Sequence, residues 1–329
     1  MKILLTGGAG YIGSHTAIKL IEVGYDVIIA DNFCNSIPET VGHIELITGA
    51  PVSVYEGDVT DKGFLRGIFE GERIDGVIHL AGYKAVGESM REPLRYYRNN
   101  IDTTLSLLEV MGEYDCNNLV CCSSATVYGR GTAIPYREAC GIGECVNTYG
   151  CTKAMMERIV MDASGANPNL SAVILRCFNP IGAHSSGKIT SDYQAEPNNL
   201  IPHILQVATG KRDRLSIFGS DYQTPDGTCR RDYIHVMDLA EGHLKALEYS
   251  SKNGGTEVFN LGSGSAYSVL EVVRAFEGVS GIKIPCEFVP RRDGDLPEFW
   301  ADITKAKDIL GWQAKFTLEK MCEDAWRAK

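Results

Sequence analysis

Tyr149 and Lys153 stand four residues apart in Tyr149-Gly150-Cys151-Thr152-Lys153. On a helix that spacing sets a phenol and an ammonium on one face, within reach of a shared ligand. A free tyrosine titrates near 10, so use as a general base at neutral pH requires roughly three units of lowering, about 4 kcal/mol. A cation within ~4–6 Å favours the phenolate by ~1–3 units, so Lys153 and one ligand-borne cation together are the right size for the task. Ser124, in Cys122-Ser123-Ser124-Ala125-Thr126-Val127-Tyr128-Gly129, follows a strand-like run. It therefore falls at the C-terminal sheet edge, where open α/β folds bind ligands. Ser124, Tyr149 and Lys153 fill three roles: a hydroxyl for the reacting oxygen, a base and a charge.

A second signal lies at the start of the chain. Thr6-Gly7-Gly8-Ala9-Gly10-Tyr11-Ile12-Gly13 joins a strand-like run to a helix-like one, where bare backbone lets a dinucleotide pyrophosphate approach the positive end of the helix. Gly8, Gly10 and Gly13 satisfy GxGxxG, and Gly7, Gly10 and Gly13 satisfy GxxGxxG. Asp31, at the end of the next strand-like run, can accept hydrogen bonds from adenosine ribose hydroxyls but would repel a 2′-phosphate, which favours NAD over NADP. A bound nicotinamide would then be the second cation beside Tyr149. Asp58, in Glu56-Gly57-Asp58-Val59, is placed to receive the adenine amino group; taken alone it reads as a turn residue.

These residues need a frame to bring them together. Short β-branched runs at Lys2 to Thr6, Asp26 to Asp31, Val52 to Glu56, Gly76 to Leu80, Leu119 to Ser123 and Ala172 to Arg176 alternate with helical patterns at Ile12 to Val23, Asp61 to Glu72, Pro93 to Glu113 and Tyr149 to Ser164. That alternation predicts a doubly wound parallel α/β sheet. After Asn179 the rhythm is lost in loops rich in Gly, Ser, Asn and Pro, Pro180 to Asn199 and Phe218 to Gly227. We place a domain boundary near residue 180, giving 1–180 and 181–329. Asp232 to Val236 reads as a strand that returns to the first domain.

The 329 residues suit about two domains. Apolar residues make up 44%, and no apolar run is long enough for a membrane span. The formal charge of −10 disfavours broad attraction to nucleic acid or anionic lipid, so an anionic substrate needs local cations. No secretory leader is visible, and the expected compartment is the cytoplasm. Eleven cysteines without a CxxC pair or a His-spaced pattern read as small thiols in a reducing compartment, so neither disulfides nor a metal site is expected.

The segments TGGAGYIGSH (Thr6 to His15), DNFCNS (Asp31 to Ser36), HLAGYKAVGES (His79 to Ser89), SSATVYG (Ser123 to Gly129), FNPIGAH (Phe178 to His184), RRDYIHVMDLA (Arg230 to Ala240) and RRDGDLPEFWAD (Arg291 to Asp302) together resemble the extended short-chain dehydrogenase/reductase family. Within it they resemble the branch that epimerises UDP-hexoses at C4. The resemblance covers nearly the whole chain. It implies a Rossmann-type sheet with a smaller mixed α/β C-terminal substrate domain, tightly bound NAD, and a homodimer. It also implies reversible interconversion of UDP-glucose and UDP-galactose through a transient 4-keto sugar and NADH, with Tyr149 as general base and acid, Ser124 on the reacting oxygen and Lys153 on the nicotinamide ribose.

For NAD the family pattern carries onto Gly7, Gly10, Tyr11, Ile12, Gly13, Asp31, Asn32, Asn35, Ser36, Asp58, Val59, Leu80, Ala81, Lys84, Asn99, Lys153 and Cys177. For the nucleotide sugar it carries onto Ser124, Tyr149, Asn179, Asn199, Leu200, Ser216, Phe218, Arg231, Arg292, Asp295 and Phe299. Arg231 and Arg292 are forked cations suited to a diphosphate, and each lies in an adjacent-arginine pair. Asp295 offers acceptors to ribose hydroxyls. Two positions depart from the family pattern: Cys177, often tyrosine beside the nicotinamide, and Phe299, which keeps the bulk of a tyrosine without its hydroxyl. A 4,6-dehydratase would carry an Asp-Glu pair where this chain has Ala125-Thr126. The complete Ser, Tyr and Lys set argues against a protein that binds dinucleotide without turnover.

Overall fold

In the N-terminal half, stretches rich in Val, Ile and Leu form strands buried on both faces, which is how parallel strands covered by helices read in sequence. The computed structural model describes residues 1–190, 199–292 and 295–329. Residues 191–198 of the expected loop from Pro180 to Asn199, and Asp293 and Gly294 of the last motif, lie outside the described residues. The chain runs β1 (Lys2–Thr6), α1 (Tyr11–Glu22), β2 (Asp26–Asp31), α2 (Glu39–Thr48), β3 (Ser53–Glu56), α3 (Lys62–Gly71), β4 (Gly76–His79), α4 (Val86–Arg91), α5 (Pro93–Glu113), β5 (Asn118–Ser124), α6 (Thr148–Ala166) and β6 (Ser171–Cys177). It continues through β7 (Asn179–Ile181), α7 (Leu200–Ala208), β8 (Leu215–Phe218), β9 (Arg230–Arg231), β10 (Tyr233–His235), α8 (Val236–Ser250), β11 (Thr256–Leu261), β12 (Tyr267–Ser268), α9 (Val269–Ser280), β13 (Cys286–Val289), β14 (Glu298–Phe299) and α10 (Leu318–Arg327).

Seven parallel strands make the main sheet in the order β11-β6-β5-β4-β1-β2-β3, so the doubly wound expectation is borne out. Side chains alternate across it: Ile3 and Leu5 enter the core beneath α1 and α8, while Leu4 enters the one beneath α3, α5 and α6. Strand order reverses between β1 and β4, which opens a crevice at the C-terminal strand ends and puts the glycine turn on its rim. Beyond the sheet, α7, α9 and α10 close a third core around Ile204, Ile217, Val272, Phe276 and Met321. Short strand pairs β7·β10 and β8·β13 and the trio β12-β9-β14 flank it.

Helices α2 and α4 and strand β11 go beyond the sequence expectation. Helix α2 was not expected: Val41 and Gly42 weaken its propensity and only Thr40 and Ile44 are buried, so it carries little helical periodicity. The strand that returns to the main sheet is β11, paired in parallel with β6 from Thr256↔Ala172 to Leu261↔Cys177. The strand expected near 232–236 is present as the three-residue β10, which pairs with β7 beside the main sheet. The physical reason is the crossover: α8 follows β10 directly and needs a strand after it, so the six-residue run Thr256–Leu261 completes the unit.

Candidate active site

Gly7 leaves β1 with φ +70°, and a Cβ there would meet the Ala81 backbone nitrogen at 2.8 Å. At Gly13 a Cβ would stand 2.4 Å from the Gly7 carbonyl oxygen, so the turn and the first turn of α1 close only without side chains. No side chain caps α1 at Gly10, which leaves its leading amides to an incoming anion. Buried Asp31 organises the rim: one carboxylate oxygen accepts from Ala9 N at 3.0 Å, the other from Phe33 N at 2.9 Å and Ser36 Oγ at 3.0 Å. Asp58 Oδ1 accepts from the amide and hydroxyl of Thr60, so this residue is a turn former as well as a cavity residue.

The turn opens into a cavity of about 350 Å³. Its walls bring together every expected NAD residue: Gly7, Gly10, Tyr11, Ile12, Gly13, Asp31, Asn32, Asn35, Ser36, Asp58, Val59, Leu80, Ala81, Lys84, Asn99, Lys153 and Cys177. Ser124, Tyr149, Asn179, Asn199 and Phe299 line the same space. A side-chain-free cradle at a helix N-terminus, a carboxylate at the end of β2 and an elongated cavity between them fit a dinucleotide with a free 2′-hydroxyl. The protein wall around Lys84 lowers its ammonium pKa by desolvation.

The reactive end is built from β5 and α6. Asn147 caps α6 by accepting from Gly150 N at 2.8 Å, and Tyr149 N donates to Ser89 Oγ at 3.1 Å, tying the tyrosine to α4. One turn on, Lys153 Nζ donates to the Cys122 carbonyl at 2.7 Å, which fixes the ammonium beneath the phenol. Ser124 Oγ accepts from both Thr126 N and Thr126 Oγ1, so its own proton is left to donate into the cavity. Burial raises the Tyr149 pKa, while the Lys153 charge and the Ser124 hydroxyl pull it down; in the protein alone burial wins. Lys153 is penalised by burial too, but the neighbouring Tyr149 and Cys122 outweigh this and hold it above its ordinary value. Lys153 supplies part of the lowering that a phenolate at position 149 needs, and a second cation is still required.

The remaining expected residues lie outside the cavity wall. Leu200 opens α7 next to Asn199. Arg231 Nη2 and Arg292 Nε converge on Asp295, at 3.4 and 2.9 Å, with the Arg292 guanidinium 4.8 Å from the Phe218 ring centre. Ser216 Oγ donates to Glu287 at 3.1 Å. The arginines are therefore two cations held by one carboxylate.

Sequence reasoning missed two supports. Glu157, fully buried, receives a forked ion pair from Arg176 and a hydrogen bond from Ser123 Oγ at 2.5 Å, locking α6 to β5 and β6 directly behind Ser124 and Tyr149. Tyr96 Oη donates to Glu88 at 2.7 Å and accepts from Ala85 N, shaping the loop that carries Lys84. Neither has a local spacing signal, because the partners of Glu157 come from other strands.

A profile described as NAD dependent epimerase/dehydratase family matches residues 3–262. The chain belongs to this family. Over 326 residues it is 52% identical to the UDP-glucose 4-epimerase of Neisseria meningitidis serogroup C, covering 99% of this chain and 96% of that one. It is 50% identical over 327 residues to the protein of the same name from Bacillus subtilis, with the same shares. The crystal structure of UDP-glucose 4-epimerase from Bifidobacterium longum in complex with NAD+ and UDP superposes with a TM-score of 0.96 at 44% identity, covering 100% of this chain and 98% of that one. The Stenotrophomonas maltophila enzyme with bound NAD and formylated UDP-arabinopyranose gives 0.97 at 40% identity, covering 100% and 97%. The family resemblance of the motifs and the Rossmann-type sheet are thus borne out.

Proposed function

We propose that this protein is an NAD-dependent isomerase that interconverts UDP-glucose and UDP-galactose by inverting C4. The observation that carries this reading is the convergence of Ser124, Tyr149 and Lys153 at one end of the cavity whose other end is the glycine cradle and Asp31, in a chain about half identical to UDP-glucose 4-epimerases along its length. Tyr149 as phenolate accepts the proton of the sugar 4-hydroxyl and returns it to the same oxygen after the ring has turned. Ser124 donates a hydrogen bond to that oxygen throughout. Lys153, fixed by the Cys122 carbonyl, stabilises the phenolate and holds the nicotinamide ribose. NAD, when bound in the cradle of Gly7, Gly10 and Gly13 with Lys153 on its nicotinamide ribose, would supply the hydride acceptor and donor for C4.

We assign the UDP portion to residues 181–329, with Arg231 and Arg292 on the diphosphate and Asp295 on the uridine ribose; both guanidiniums must then exchange Asp295 for phosphate oxygens. Phe299 lines the cavity and is wedged between the rings of Tyr136 and Phe178, 5.0 and 5.4 Å away. Held there, it excludes a 2-N-acetyl group; comparable turnover of UDP-N-acetylglucosamine and UDP-glucose would overturn this. Exposed Leu94, Leu105 and Met155 on α5 and α6 support a homodimer through these helices, to be read by light scattering. No described helix is long and apolar enough to cross a membrane, and a reducing cytoplasm suits eleven free thiols.

The test is isotopic. UDP-galactose deuterated at C4 is expected to give UDP-glucose that retains the deuterium in ordinary water. Exchange with solvent would mean deprotonation at carbon and would contradict the assignment.

A further inference from the structure

Cys122, Cys177 and His243 are far apart in the chain and meet on one face of the main sheet. Cys122 lies within β5 and Cys177 ends β6, with their sulfurs 3.6 Å apart. His243 reaches them from α8, which packs across both strands. One ligand-type atom from each lies within 4.8 Å of the others, and all three residues are buried. The histidine is oriented for donation. Its Nδ1 lies 2.8 Å from the Leu239 carbonyl oxygen, an acceptor, so Nδ1 carries the ring proton and the lone pair sits on Nε2. That Nε2 is buried and faces the Cys122 thiol, with no other described side chain or backbone group bonded to it.

From this geometry we infer that Cys122, Cys177 and His243 form a binding site for a thiophilic divalent cation of the Zn²⁺ class, at the wall of the cavity. A tetrahedral zinc with bonds of about 2.3 Å to sulfur and about 2.0–2.1 Å to nitrogen spans about 3.8 Å between sulfurs and about 3.6 Å from sulfur to nitrogen. The sulfur pair already has this separation, and side-chain rotation closes the rest. The Leu239 carbonyl provides the outer partner that fixes a ligating imidazole. On binding, each thiol gives its proton to solvent as the metal–sulfur bond forms, while Nε2 contributes its lone pair and loses none. Two thiolates cancel the dication, which suits a buried position. Cys122 and Cys177 line the cavity and His243 does not, so the site lies within the cavity wall.

A disulfide is the poorer use of this pair. Cys122 is registered opposite Leu175, and Cys177 opposite Ser124, so the cysteines are diagonal neighbours. Two residues of offset along parallel strands add about 6.6 Å of rise to a strand spacing of about 4.8 Å, which puts the Cα atoms about 8 Å apart, beyond the reach of an unstrained bridge.

The test uses the reduced holoenzyme, titrated with Zn²⁺ against a chromophoric chelator and, separately, with Co²⁺, whose sulfur-to-metal charge-transfer bands report thiolate ligation. One equivalent per chain is expected, lost in Cys177→Ser and in His243→Gln and kept in Cys286→Ser, which removes an exposed thiol. X-ray absorption at the zinc edge of the unaltered protein provides a readout independent of the variants' folding, with two sulfurs and one imidazole nitrogen expected. Absence of binding, loss of binding in Cys286→Ser, or a shell without two sulfurs would each overturn the site.

Discussion

At the glycine end of the cavity the protein presents main-chain amides and one carboxylate; at the Tyr149 end it presents a phenol, a hydroxyl and an ammonium. The first end works through shape. Gly7 and Gly13 admit no Cβ, and Asp31 is already fixed in place by three hydrogen bonds. The second end works through charge under burial, with Tyr149 pushed up by desolvation against the pull of Lys153. One end can therefore hold a cofactor through turnover while the other changes protonation state, and substitutions should separate holding from chemistry.

The largest expected effect is that of Tyr149→Phe, which removes the proton acceptor but no part of the cradle: turnover falls by about 10³–10⁴-fold while bound NAD, released by denaturation and quantified, is unchanged. Loss of NAD together with activity would collapse the distinction. Next is Glu157→Ala, which strands buried Arg176 and frees the support behind Ser124; a stability loss of about 3–5 kcal/mol is expected in urea unfolding.

Acid should loosen the frame on the glycine side. His15 and His79 are each pushed down to about 3 by burial; His15 bridges the Tyr11 carbonyl and the His184 amide, and His79 bonds Thr6. Because these bases have folded pKa values below the unfolded value near 6.5, the unfolded chain takes up more protons. Their stability contribution is full above about 6.5 and is lost as pH falls towards 3, about 2 kcal/mol per histidine by pH 5. Asp232, raised to about 6 by burial, acts in the opposite sense. Urea midpoints at pH 7 and pH 5 measure the sum, and a midpoint higher at pH 5 would contradict it. The smallest effect is that of Asp31→Asn, expected to weaken NAD by about tenfold and to narrow its advantage over NADP, read by equilibrium dialysis.

The same division explains what could be read before the fold was known. Glycine spacing, an acidic residue after the second strand and a Tyr-x-x-x-Lys helix start are local patterns, and the structure gathers all of them in one cavity. The alternation of strands and helices likewise predicts the sheet. What escaped reading is non-local or weakly patterned: β11 arrives about 80 residues after β6, past loops that conceal the crossover; α2 shows only two buried positions; and Glu157 finds Arg176 and Ser123 on other elements. The trio Cys122, Cys177 and His243 is invisible for the same reason, since none is near another in sequence. Arg231, Arg292 and Asp295 could be nominated only through motif resemblance, because adjacent arginines alone read equally well as surface charge.

The most direct test of the central claim is to give the purified protein UDP-galactose, with no NAD added, and to follow UDP-glucose by chromatography together with absorbance from bound NADH. Conversion to an equilibrium mixture, with NAD recovered from the protein afterwards, is the predicted result. Absence of conversion even when NAD is supplied would contradict the assignment of UDP-hexose C4 epimerisation.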